Sequence, residues 1–484
     1  MCTMLLAAMD VTVVSTAVPQ IVADLGGFRL FSWVFSIFLL TQTVTIPVYG
    51  KLSDLYGRKP VLMAGTVVFL VGSVACAAAW NMESLILFRA VQGIGAGSIM
   101  ATVATLAGDL FSLKERAAVQ GWLSSVWGMS AILGPLVGGA FAEYVSWRWI
   151  FIVNLPLGAV SLVLIGRFLH ERFERRQPRI DYLGAALVLA AVGTLIFGVL
   201  QGGITWPWLS WPSAATFGAA AVLLAVTVWA ESRAPEPILP RWVWRRRTLV
   251  ASNLATAALG VAVMMPNAYL PVFSQSVQGL GAIAAGLVLA SMSLGWPTAS
   301  GLSGRLYLRI GFRDTALCGA TLMVAAALAF QFMPGPPPVW MLVLDQIALG
   351  AGFGLLSTPL LVGVQSVVGW SERGVVTSAN MFARYLGASL GAALFGAIFN
   401  GVVAQRLHTA PVELAAAVPH RVDDVVAALH DPATTPAAAG YLRAAIEAAT
   451  RHQYAAMAAV GVLMLLATWW APRRFVVVDV GRAG

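Results

Sequence analysis

Four ionisable side chains stand inside long apolar runs of this sequence: Asp10, Arg89, Asp345 and Arg384. Each costs about 2.5–3.5 kcal/mol at mid-helix on membrane-insertion scales, so each is a functional candidate by default. A carboxyl in such a place can take up and release a proton, and a cation beside it sets how readily. Asp10 is the first choice for a proton-carrying group and Arg89 for its cation; the alternative is an ion pair that merely pins two helices. Asp345 is either a second proton site, a contact for a cationic substrate or a hydrogen-bonded structural group. Other chemistries find little support. The glycine run at 93–97 lies in an apolar stretch with no strand before it, and no GxxxxGK[ST] occurs, so no nucleotide loop is expected. His170, His408, His420, His430 and His452 fall in loops, while Cys2, Cys76 and Cys318 are scattered. No metal site, disulfide frame or cofactor is expected from them.

The elements that carry these groups must be helices in lipid. The 484 residues are 59% hydrophobic and 11% charged, against about a quarter charged in soluble domains. A spanning helix needs about 20 apolar residues. Reading between charges gives fourteen candidates: 3–22, 30–49, 60–81, 84–107, 117–141, 149–166, 182–201, 214–230, 248–274, 283–303, 315–333, 339–361, 374–400 and 454–471. The stretch GGITWPWLSWPS at 202–213 divides an uncharged run too long for one span. An even count puts both termini on one side. With that side cytoplasmic, most of the 30 Lys and Arg, from Lys51, Arg58 and Lys59 to Arg473 and Arg474, fall inside. This is the positive-inside pattern, so the net charge of +9 points to membrane orientation and not to nucleic acid. No cleavable signal peptide is expected, since the first apolar segment lacks a basic leader and Asp10 interrupts it.

Internal repetition orders the spans. GKLSDLYGRK at 50–59 aligns without gaps to GRLYLRIGFR at 304–313, sharing Gly50/Gly304, Leu52/Leu306 and Gly57/Gly311. RAVQGIGAG at 89–97 aligns to QIALGAGFG at 346–354, keeping three glycines in step. Both matches are offset by eight spans. Two six-helix halves therefore flank an inserted hairpin: residues 1–170, a hairpin with its linkers at 171–247, and 248–484, which includes loop 401–452.

This plan resembles the major facilitator superfamily, specifically its fourteen-span drug:proton antiporter branch of the EmrB/QacA type, over nearly the whole chain. GKLSDLYGRK is similar to the family's signature between spans 2 and 3, and RAVQGIGAG to the Arg-bearing motif of span 4. GMSAILGPLVGG at 128–139 is similar to the antiporter motif of span 5, MDVTVVSTAVP at 9–19 to the acidic motif of span 1, and WRWIFIVNLPLG at 147–158 to the segment entering span 6. Leu308 stands where the first copy has Asp54, so charge-based gating attaches to the first half.

The resemblance implies an all-α, polytopic, monomeric protein of the bacterial cytoplasmic membrane with both termini cytoplasmic. It implies export of lipophilic drugs or toxic metabolites by alternating-access proton antiport, driven by the proton-motive force without a cofactor. Gly50, Asp54, Gly57, Arg58 and Lys59 would form a conformational latch, with Asp54 meeting a helix-dipole end or a basic group of a neighbouring span. Gly128, Gly134, Pro135, Gly138 and Gly139 would kink and closely pack span 5. Trp122, Trp127, Met265, Tyr269, Phe382, Arg384 and Tyr385 are candidates for an adaptable cavity lining; for Arg384 the likeness suggests packing or gating. Two intramembrane carboxylates are few for a polycation, so neutral or monocationic compounds are expected. A nutrient importer on the same fold stays open, as does, more remotely, a membrane-embedded enzyme, although a polar catalytic cluster is lacking in the sequence. The VDDVVAALH and YLRAAIEAATRH stretches of loop 401–452 read as short surface helices.

Overall fold

A computed structural model describes residues 1–26, 30–171, 181–202, 206–234, 237–238, 240–415, 417–431, 434–476 and 478. Its regular structure is helical. Fourteen principal helices follow in order: α1 Cys2–Thr16, α2 Phe31–Tyr56, α3 Arg58–Ala77, α4 Met82–Leu110, α5 Leu113–Tyr144, α6 Asn154–Phe168, α7 Tyr182–Gln201, α8 Trp211–Glu231, α9 Arg247–Ser276, α10 Met292–Ile310, α11 Phe312–Ala329, α12 Val339–Ser366, α13 Arg373–His408 and α14 Pro436–Trp470. Among the described residues, 11 helices are long and apolar enough to cross a membrane, with shorter apolar helices at Cys2–Val14 and Leu183–Val199. Backbone polar groups have no water to bond in hydrocarbon, so each segment satisfies them internally as a helix.

Helices α1 to α6 pack among themselves, and α9 to α14 do the same. The two bundles meet where α2 lies on α13 and α5 on α10. An offset of eight exchanges these two pairs, which is what a pseudo-two-fold between sequence repeats requires. The glycines show why the repeat persists. A Cβ at Gly93 or Gly97 would run into α2, at Thr41 and Thr45, and one at Gly95 into the backbone of Phe69 on α3. In the second copy Gly350 and Gly354 meet α10, at Met292 and Trp296, while Gly352 meets Gly319 and Met323 of α11. Each triplet thus lets one helix approach two neighbours closely, the packing used where helices gain nothing from burial away from water. Gly57 and Gly311 both adopt φ +93, ending one helix and starting the next, a conformation that favours glycine.

Helices α7 and α8 pack on each other, and α7 also lies against α2 and α13, outside the seam between the bundles. Val188, Val192 and Ile196 of α7 form a small core with Val44.

Two sequence expectations fail: His408 and His452, read as loop residues, lie in α13 and α14, and a surface helix is misplaced. YLRAAIEAATRH is not a separate surface helix, because it forms the first turns of the 35-residue α14. Thr435 caps that helix at Ala438 N, with Pro436 in its first turn. Arg451 pairs with Glu447 one turn back and donates to the carbonyls of Phe330, Gln331 and Met333, fastening the extension to the end of α11. VDDVVAALH does contain a short helix, Val425–His430, packed on α14 through Val425.

Candidate functional site

The interior of the first bundle holds a polar cluster. Asp10 on α1 and Arg89 on α4 are both buried and form an ion pair. Arg89 Nη1 also donates to Gln92 Oε1 at 2.7 Å and Arg89 Nε to the carbonyl of Val34 at 3.3 Å; its guanidinium lies 4.2 Å from the Phe38 ring centroid. The other oxygen of Asp10 accepts from Gln92 Nε2 at 2.8 Å and from Asn154 Nδ2, on α6, at 3.3 Å. Ser73 Oγ on α3 joins Gln92 and Asn154. Five helices, α1, α2, α3, α4 and α6, therefore share one network around one carboxylate. Arg89 Nη2 has no partner among the described residues. Sequence reasoning missed Gln92, Asn154 and Ser73; the available signal was an amide three residues after Arg89, placed on its helix face by periodicity.

The second bundle answers with a smaller cluster. Gln346, the positional counterpart of Arg89, donates to Asp345 at 3.1 Å and to the Tyr454 hydroxyl at 3.1 Å, and Tyr454 donates to Asp345 at 3.3 Å. Tyr454 is on α14 as Asn154 is on α6, so the pseudo-symmetry extends to the polar interiors. Asp345 is buried among these groups between α12 and α14; its Oδ1 has no partner, and it forms no ion pair with a described residue.

A second charged cluster joins the bundles at one end. Asp54 at the end of α2 accepts from the backbone N–H of Gly374 and of Val375, both at 2.9 Å, in the first turn of α13. Arg58 pairs with Asp54 at 2.8 Å and with Asp109 at 2.9 Å. It also donates to the carbonyl of Trp370 at 2.7 Å and stacks 3.9 Å from that ring. Arg373 reaches back to Asp109 at 3.0 Å and to the Gly108 carbonyl. Gln365 donates to the Ala104 carbonyl, and Tyr307 to that of Leu113. Gly50 is indispensable here: a Cβ would sit 2.0 Å from Ser378 Oγ and 2.7 Å from the Gly374 carbonyl. Lys59 and the first turn of α3 are held separately, by the Gly166 carbonyl and the carboxylate of Glu171. Asp109, Arg373, Gln365 and Trp370 were not singled out from sequence, since their partners lie 50 to more than 300 positions away.

The glycines of GMSAILGPLVGG serve two contacts. Gly134 presses α5 onto Thr12 of α1, whose hydroxyl donates to the Ser130 carbonyl at 2.9 Å. Gly128 faces Ser293 of α10, across the bundle boundary, and Gly138 is buried. The surroundings of Pro135 and Gly139 lie outside the described residues.

The cavity candidates do not form one group. Trp127 packs on the first-bundle core near Leu6 and Phe38, whereas Trp122 is 65% exposed on another face of α5. Five residues separate them, about 140° around a helix. Phe382 belongs to the small core between α2 and α7. Met265 is wholly buried in the second-bundle core, and the Tyr269 ring lies tilted against Phe399, 5.3 Å between centroids. Tyr385 and Arg384, by contrast, stand at the boundary: the Tyr385 hydroxyl receives a long 3.5 Å contact from Gln42 of α2. Arg384 reaches from α13 over the Trp296 ring of α10, 5.2 Å from its centroid. A cleft of about 610 Å³ lies elsewhere, between α2, α7 and α8, lined by Trp33, Leu40, Phe197 and Thr216 among others.

Comparison with known proteins agrees with this architecture. The family model of the Major Facilitator Superfamily matches residues 1–181 and 175–392. Multidrug resistance protein 3 of Bacillus subtilis (strain 168) is 34% identical over 407 residues, 84% of this chain and 79% of that one. A multidrug transporter of the same organism, MdtP, is 32% identical over 82% of this chain and 73% of its own length. An efflux pump of Gibberella fujikuroi is 31% identical over 84% and 75%. In structure, a human organic anion transporter superposes with a TM-score of 0.61 at 17% identity, covering 97% of each chain. A proton:xylose symporter gives 0.60 at 13%, covering 97% and 93%. These relatives and neighbours are transporters, not enzymes. The chain is a polytopic, all-helical membrane protein and belongs to the Major Facilitator Superfamily.

Proposed function

We propose that this chain is a proton-coupled exporter of lipophilic drugs or toxic metabolites, of the fourteen-span drug:proton antiporter branch, working by alternating access. Its multidrug-transporter relatives support the drug class. The fourteen spans would be the eleven long apolar helices together with α1, α5 and α7. Residues 1–170 and 248–484 form the two halves, and 171–247 the inserted hairpin with its linkers. The latch end faces the cytoplasm with both termini, in the bacterial cytoplasmic membrane, and a monomer carries the activity. Neutral or monocationic compounds were the expectation from two carboxylates, but Asp10 and Asp345 are each engaged inside a bundle, so they do not recommend a cationic substrate.

The observation that carries the coupling is the buried Asp10–Arg89 pair with Gln92, Asn154 and Ser73 around it. A proton on Asp10 removes the charge that holds Arg89 and frees α1, α4 and α6 to shift together, while the latch holds the opposite opening shut. The membrane potential contributes about 2.3 kcal/mol per charge per 100 mV, and each 1.4 kcal/mol is about tenfold in accumulation. Purified protein in vesicles should release protons into the lumen-to-bath gradient only when substrate moves, and an uncoupler should abolish accumulation. Accumulation that ignores the uncoupler would overturn the reading, and Asp10→Asn should transport substrate downhill without moving protons.

A further inference from the structure

The intramembrane charges are unequally engaged. Asp10 has Arg89, Gln92 and Asn154, and Asp345 has Gln346 and Tyr454. Arg384 forms no ion pair or side-chain hydrogen bond with a described residue; its guanidinium lies 5.2 Å from the Trp296 ring centroid, with Tyr385 as its other polar neighbour. It is nonetheless half-buried in the first half of α13. Its helix and that of Trp296 are the two that lie most closely on the first bundle, α13 on α2 and α10 on α5. A side chain reaching from one to the other therefore crosses the inner face of the second bundle. Trp296 in turn is seated on Phe353 of α12, at 5.3 Å between ring centroids. On the α13 side the neighbouring residue, Tyr385, touches Gln42 of the first bundle.

We infer that Arg384 and Trp296 form a substrate subsite for the anionic group of an aromatic amphiphile, with a carboxylate as the preferred form. A guanidinium keeps its charge at any physiological pH and offers a planar fork that matches a carboxylate with two parallel hydrogen bonds. Resting on an indole, it is held in orientation while its donors stay free. The indole also offers a stacking face to the aromatic body beside the carboxylate. A cation with no counter-ion among the described residues leaves its charge to be balanced by the cargo. This deepens the exporter reading and rests on it: the charged end of the accepted compounds becomes anionic.

The test uses dansylglycine, an aromatic carboxylate, and its neutral match dansylglycinamide, with the full-length purified protein. Binding is read in detergent or nanodiscs by dansyl fluorescence, and transport in proton-loaded vesicles. Wild type should bind the carboxylate at least tenfold more tightly than the amide. Arg384→Gln should lower that ratio about tenfold, and Arg384→Lys should fall between, keeping charge without the planar fork. Trp296→Leu should weaken both ligands. A wild-type ratio of one or below, or a ratio unchanged in Arg384→Gln, would overturn the assignment; the wild-type comparison decides even if the glutamine variant does not fold. A carboxylate preference in binding with no proton-driven accumulation of either compound would leave the subsite standing and remove the exporter reading instead.

Discussion

The carboxylate of Asp54 closes the first turn of α13 by accepting the N–H of Gly374 at 2.9 Å, across 320 residues of sequence. Helix N-termini present unpaired N–H groups and a partial positive charge, so a carboxylate is a natural partner for them. The same oxygen lies 2.8 Å from Arg58 of its own bundle. One charge thus serves both a turn within the first bundle and a clasp onto the second. The clasp depends on two glycines. Gly50 and Gly374 allow α2 and α13 to touch backbone to backbone, since a Cβ on Gly374 would lie 2.4 Å from the Gly50 carbonyl.

Gly374→Val should therefore open this end without disturbing either bundle. Spin labels at Tyr56 and Ser371 report the separation. The variant should shift the distance distribution to a longer population, and an unchanged distribution would show that the clasp does not depend on close backbone approach.

Asp109 should prove more valuable than a surface ion pair. It is buried between Arg58 and Arg373, at 2.9 and 3.0 Å, so Asp109→Ala leaves two buried guanidiniums short of a counter-charge. A loss of about 3 kcal/mol is expected. Because Arg373 comes from the other bundle, a double-mutant cycle between Asp109 and Arg373 should give a coupling of about 0.5–3 kcal/mol, read by thermal unfolding in detergent. Additive losses would place the two in separate networks.

Asp10→Asn should affect stability as well as coupling. Removing one partner of a buried pair strands the other, at about 3–5 kcal/mol, although Gln92 and the Val34 carbonyl still hold Arg89. The double variant Asp10→Asn with Arg89→Gln should recover much of the melting temperature yet remain uncoupled. Recovery of proton-coupled transport in the double variant would reduce the pair to a helix pin.

Asp345→Asn should behave differently. No described cation depends on this carboxylate, and one of its oxygens is unpartnered, so the amide should fit without loss of melting temperature. If Asp345 carries a second proton, the ratio of protons to substrate falls in the variant. If that ratio stays as in wild type, its role is confined to orienting Gln346 and Tyr454.

At the end away from the latch, Arg148 donates to Asp24 at 2.6 Å and Trp147 at 3.0 Å, which holds the Asp24 carboxyl below its usual range. A lowered pKa means that the stabilisation is present above the ordinary carboxylate range and is lost as pH falls through the depressed value. Asp24→Asn should flatten the acid side of the stability profile, with a small amplitude because the pair is exposed. An acid limb identical to wild type would exclude this tether.

Much of the fold could be read directly. Apolar run length located the apolar helices, because hydrocarbon imposes one hydrogen-bonding solution on every such segment, but α13 runs on to His408 past the expected 400 and α14 begins at Pro436 instead of 454. The repeat between the two bundles followed from Gly57/Gly311 and the two glycine triplets, since close helix approach admits little else. Asp10, Arg89 and Asp345 stood out because charge is rare in such segments. The start of α14 was misread, since a polar surface pattern does not reveal that a helix continues into an apolar one.

Sequence alone determined which residues are too costly to be incidental; only the tertiary structure decided what each one faces. Trp122 and Trp127 are equally aromatic, yet helix rotation separates them, and Phe382 and Arg384 differ by two residues but belong to different surroundings. Arg373 and Asp109 stand 264 positions apart, and only packing joins them. Partner identity depends on how helices rotate and meet, and those angles are fixed by the sum of many small side-chain contacts across hundreds of residues, which no local spacing encodes.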